Sequence, residues 1–117
     1  MLRSCILVLA VACAGLVCTP SGALAQKSDY THTASLSPQA PAVGTYYALY
    51  VTFTNHSNRT ILFEVSVDSV PLGDQLVSAK SQQQYVAAGQ SHTFRFDIYC
   101  GVDGGTVNWS HRAKFAN

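Results

Sequence analysis

Charge is scarce in this chain, with 7 Lys and Arg against 6 Asp and Glu in 117 residues, and no run of either sign. A protein that binds a phosphate backbone by releasing counterions needs clustered Lys and Arg, so nucleic-acid binding is not expected. Docking on an anionic membrane surface fails for the same reason. Methionine is absent after Met1, and cysteine is absent between Cys18 and Cys100. Helical spacing of apolar residues is almost nowhere to be found, which leaves β-structure as the organising pattern.

One apolar run is present, and it lies at the amino terminus. A single early positive charge at Arg3 precedes Cys5–Cys18, which carries no charge, and Thr19-Pro20-Ser21-Gly22 follows before Ala23-Leu24-Ala25. The run is too short for a membrane helix, which needs roughly 20 apolar residues, and fits the roughly 7–15 of a secretory signal. Small residues at Ala23 and Ala25 suit a signal peptidase. Residues 1–25 therefore read as a signal peptide cut before Gln26, and residues 26–117 as a single extracytoplasmic domain, secreted or periplasmic. Three of the four cysteines leave with that leader. Only Cys100 remains, so no internal disulfide is expected despite the oxidising destination, and stability must come from packing. The remaining charges are six basic and six acidic, which balance.

The domain is a succession of short apolar and aromatic runs ended by turn residues. A weak first strand is expected around Thr31–Ser37, then Pro38–Gly44 interrupts pairing because two prolines remove ladder donors. In Thr45–Asn55 the residues Tyr47, Leu49, Val51 and Phe53 share one face, and Tyr46, Ala48, Tyr50, Thr52 and Thr54 the other. Thr60–Asp68 alternates Ile61, Phe63, Val65 and Val67 with polar or solvent-facing neighbours. Gln75–Lys80 is a candidate short strand, Ser81–Gln84 a polar stretch before Tyr85–Ala87. Ser91–Cys100 puts His92, Phe94, Phe96, Ile98 and Cys100 on one face. Thr106–Phe115 puts Val107, Trp109, His111, Ala113 and Phe115 inward. The spacing predicts a seven-stranded, all-β, immunoglobulin-like antiparallel sandwich. The Gly101-Val102-Asp103-Gly104-Gly105 segment reads as a hairpin turn, which would set Ile98 opposite Trp109 and Phe96 opposite His111.

The Pro-rich lead ending in Gly44, strands closing on Asn55 and Asp68, the Ala88-Gly89-Gln90-Ser91 turn, a Phe-alternating strand and a Gly turn into the last strand make a recognisable order. It resembles the immunoglobulin-like adhesion modules of bacterial surface proteins, the CARDB domains, and more distantly fibronectin type III, over about residues 34–115. The resemblance implies a sandwich fold and a habit of extracellular binding. It brings no catalytic residues.

Candidate sites are few. Tyr46 and Tyr50 share an outward face with Ala48 between them, and Tyr99 is outward on a later strand; exposed tyrosines make protein and sugar contacts. The alternative is that the Pro-rich lead or a second sheet covers them. Asn55, Asn58 and Asn108 each open a glycosylation triplet, usable only in a eukaryotic host. No His-x-His spacing, nucleophile elbow or close carboxylate pair occurs, so no enzyme activity, cofactor or metal is expected. The expectation is a non-enzymatic module binding a protein or carbohydrate partner. The alternative is a small metal-binding or redox protein in which His92, His111 and Cys100 converge. Cys100, at an inward strand end, is expected to be a buried thiol or else an intermolecular disulfide partner.

Overall fold

The computed structural model describes residues 23–102 and 104–116. The apolar run of residues 5–18 and Asp103 of the expected hairpin turn lie outside them. After a 3-10 turn at Lys27–Asp29, seven strands follow: β1 (Tyr30–Ser37), β2 (Tyr46–Asn55), β3 (Ile61–Ser69), β4 (Gln75–Leu76), β5 (Ser81–Val86), β6 (Ser91–Tyr99) and β7 (Asn108–Phe115). They form two antiparallel sheets, ordered β1-β2-β6-β4 and β5-β3-β7. This is the immunoglobulin-like sandwich that the alternation predicts.

Period-2 alternation explains the core. Tyr47, Leu49, Val51 and Phe53 from β2, with Phe94, Phe96 and Ile98 from β6, face Ile61, Phe63 and Val65 from β3 and Trp109 from β7, and all are buried. Ala25, Tyr30, Val67, Val86, Cys100, Val107 and Ala113 complete the cluster. Phe53 and Phe63, from opposite sheets, stack at 4.5 Å between ring centroids. Burial of these side chains, worth about 1.5–3 kcal/mol each, is what replaces the missing disulfides.

The expected β6–β7 hairpin is not formed, and the register of Ile98 on Trp109 and Phe96 on His111 is corrected accordingly. β6 pairs with β2 and β4, whereas β7 pairs with β3. The segment after Cys100 carries the chain across the core to the other sheet instead of reversing it within one. Alternation alone cannot separate these cases, because two strands that both point at one core do so equally well side by side or face to face. The loop is pinned by Asp74, whose Oδ1 accepts hydrogen bonds from the amides of Gly101 (2.8 Å) and Val102 (3.1 Å). Gly101 must lack a side chain here, since a Cβ would collide with the Gly73 carbonyl.

β5 begins at Ser81, inside the stretch that reads as merely polar. Of its six residues only Val86 is buried. An edge strand with so little to bury has no apolar alternation to betray it.

Candidate functional site

The four-stranded sheet has a solvent face whose composition is set by register. Across β1, β2 and β6 the rows run Thr31, Thr54, Ser91; then Thr33, Thr52, Thr93; then Ser35, Tyr50, Arg95; then Ser37, Ala48, Asp97. A last row puts Tyr46 beside Tyr99, with Gln75 of β4 next to it. One half is thus a hydroxyl ladder, closed on itself by hydrogen bonds of 2.8 Å between Thr52 and Thr93 and between Thr54 and Ser91. The other half is aromatic and charged.

In that half Tyr46 and Tyr99 meet edge to face at 5.3 Å, and Tyr46 is 63% exposed. The Arg95 guanidinium lies 5.7 Å from the Tyr50 ring centroid, and its Nε donates to Asp97 Oδ1 at 2.8 Å. Ala48, between Tyr46 and Tyr50 on β2 and opposite Asp97, is buried. Neither the Pro-rich lead nor the second sheet buries Tyr46. Tyr46 and Tyr50 of β2 and Tyr99 of β6, read from two runs in the sequence, come together on one face. Arg95 and Asp97 join them, and only the pairing of β2 with β6 reveals that; an outward Arg on a strand carries no such signal by itself.

Three of the four histidines gather at a different place. His32 and His92 flank Phe53 in the register of β1, β2 and β6, and His111 of the opposite sheet lies 5.1 Å from the Phe53 ring. His111 is joined to the Tyr30 hydroxyl through Nε2 at 2.9 Å, and its ring is 4.8 Å from that of His32. Burial, then the neighbouring His32, pushes the His111 pKa down to about 4. Burial also lowers His32, whose ring lies against Phe53 and Trp109. Both are neutral at pH 7.

Cys100 does not join them. It lies eight positions from His92 on the same extended segment, which is roughly 26 Å at about 3.3 Å per residue. Its thiol is buried and donates to the Val102 carbonyl at 3.2 Å. The convergence of His92, His111 and Cys100 is thereby excluded. Among the described residues no group of three or more His, Cys, Asp or Glu is arranged to hold a metal ion.

A pocket of about 200 Å³ lies at the Cys100 end, lined by Leu36, Pro41, Tyr47, Asp74, Cys100 and Val107 among others. Tyr47, Asp74 and Cys100 in its lining are engaged in hydrogen bonds. Tyr47 donates to Asp74 Oδ2 at 2.6 Å, and burial followed by that bond raises the phenol pKa. The anchor Asp74 holds the loop through the Gly101 and Val102 amides.

Of the three glycosylation triplets, the one at Asn55 has its amide inside the fold. Asn55 is fully buried, its Nδ2 donates to the Arg59 and Val86 carbonyls at 2.7 and 2.9 Å, and its Oδ1 accepts from Ser57. Its amide is a turn clamp with no hydrogen free for a sugar. Asn58 is exposed, and Asn108 is half-buried with its amide donating to Ser69 Oγ at 2.9 Å.

No helix among the described residues is long and apolar enough to cross a membrane. Comparison with known proteins found no matching family model and no matching curated protein.

Proposed function

We propose that this chain is an exported, non-enzymatic interaction module that binds a protein or glycan partner on the solvent face of its four-stranded sheet. The observation that carries the reading is the register that assembles Tyr46, Tyr50 and Tyr99 with the Arg95–Asp97 pair on one sheet face, where Tyr46 is exposed and Tyr50 and Tyr99 are half-buried. Tyrosine offers apolar area at low entropic cost, and it keeps a hydroxyl for hydrogen bonding. The adjacent guanidinium and carboxylate supply the donors and acceptors that a sugar or a peptide edge requires. In the hydroxyl half Thr52 with Thr93 and Thr54 with Ser91 already bond each other, which favours the aromatic half for binding.

The test is capture of glycans and extracellular proteins by the immobilised native domain, compared with a Tyr46→Ala/Tyr50→Ala variant whose fold is verified by circular dichroism. The expected result is a loss of capture of at least about tenfold, the effect of removing one or two anchoring aromatics. Undiminished capture removes the tyrosine face and leaves the 55–60 and 101–105 loops as the binding surface.

A further inference from the structure

The edge of β7 that faces away from β3 is only partly used, and what uses it is the segment expected to be removed. Leu24 pairs antiparallel with Lys114, the Ala25 amide donates to the Ala113 carbonyl at 3.0 Å, and the Phe115 amide donates to the Ala23 carbonyl at 2.8 Å. Ala25 is buried in the core cluster at 2% exposure. Three residues thus act as a short fourth strand of the β5-β3-β7 sheet. At Gln26 the chain leaves this edge, enters the Lys27–Asp29 turn and crosses to β1.

Strand alternation puts the backbone groups of Trp109 and His111 on the same outer side as those of Ala113 and Phe115. Among the described residues, the backbone bonds on this side are the two at Ala113 and Phe115. The inward side chains of Trp109 and His111 also hold unsatisfied polar atoms, since Trp109 Nε1 and His111 Nδ1 are buried without a hydrogen-bond partner there. A strand that continued the register of Ala25 on Ala113 would set inward residues beside His111 and then Trp109. Buried polar atoms without partners are costly, so an arrival that satisfies them is favoured.

We infer that, once cleavage before Gln26 removes Ala23–Ala25, the vacated β7 edge accepts an extended strand of a partner protein. The strand lies antiparallel to β7, with a small residue opposite Ala113 and hydroxyl or carboxamide side chains opposite His111 and Trp109. The requirement for a small residue is read from Ala25, and the polar ones from the two unsatisfied nitrogens. Main-chain bonds then supply affinity and the inward positions supply selectivity, as in strand addition generally. The inference rests on the reading of this chain as an exported interaction module only in needing its leader removed. It concerns the opposite sheet from the tyrosine face.

The experiment uses the protein as secreted. Its amino terminus is sequenced, and a peptide spanning residues 21–26 is titrated against it. Trp109, the only tryptophan in the chain, reports on the edge. The expected outcome is a Gln26 terminus, a saturable change in tryptophan emission, and exchange of the Phe115 amide slowed at least about tenfold by the peptide. A peptide carrying Ala25→Arg should do neither. An amino terminus at or before Leu24, a Phe115 amide already protected without peptide in a monomer or a dimer, or the absence of saturable binding overturns the inference. Partner capture by the tyrosine face, measured without peptide, is scored apart, so failure of one reading is distinguishable from failure of the other.

Discussion

His111 shows how much one residue's surroundings decide. It is a polar side chain at an inward position of β7, 6% exposed, with a phenol on one ring nitrogen and a second imidazole nearby. Burial favours the neutral form, so the folded-state pKa falls to about 4 from the ordinary 6.5. The unfolded chain therefore takes up the proton first as pH drops. Stability from this residue is complete above pH 6.5 and is lost as pH falls towards 4. The loss is on the order of 3 kcal/mol, since each tenfold weakening of proton binding by the folded state corresponds to about 1.4 kcal/mol. Urea midpoints measured from about pH 7.5 to pH 4 should fall over that window for the native protein. A His111→Gln variant should show a much flatter profile there, and an unchanged slope would assign the acid sensitivity to other groups.

Among the elements, the β2–β3 turn carries the most specific polar chemistry. Asn55 closes β2, spends both amide hydrogens on the Arg59 and Val86 carbonyls, and binds the 87–90 turn through its own backbone, donating to Gln90 and accepting from Gly89 at 2.9 Å each. One side chain therefore ties the four-stranded sheet to the β3 and β5 ends of the other. Asn55→Ala would remove the side-chain donor to the buried Val86 carbonyl, leave the Arg59 carbonyl to Ser57 Oγ, and take the Oδ1 acceptor from the Ser57 amide. The expected cost is about 3 kcal/mol, read as a shift in the denaturation midpoint at unchanged slope. Asn55→Asp should not rescue, because a carboxylate cannot donate; full stability in the Asp variant would show that donation is not what the turn needs.

The whole molecule stands without a covalent cross-link among its described residues, and its one described thiol is inside. Cys100 is buried, with its Sγ on the carbonyl of Val102 in the loop that follows it. Reaching it requires that loop to lift or the sandwich to open. A thiol reagent should thus label native protein slowly, at a rate that rises with denaturant in step with unfolding. Fast labelling in the native state, or a dimer that disappears on reduction, would show that the loop end opens independently of the core.

At each scale some features were legible before the fold and others were not, for physical reasons that differ. Two-residue alternation is a local property of extended backbone, so β2, β3, β6 and β7, their inward faces and the buried Trp109 follow from the order of residues alone. So does the outward placement of Tyr46, Tyr50 and Tyr99, since it is the complement of the same pattern. Which strand lies beside which is not local. The crossing from β6 to β7, the strand character of Ser81–Gln84, and the meeting of Arg95 with Tyr50 depend on pairing between segments far apart in the chain. The setting of the triplet at Asn55 is non-local for a related reason: three residues define the motif, but the burial of its amide is decided by Arg59, Val86 and the turn they build together. Sequence by itself determined which faces seek the core. Tertiary structure alone decided which of them meet, because hydrophobic burial has no direction and only the register of hydrogen-bonded strands selects a neighbour.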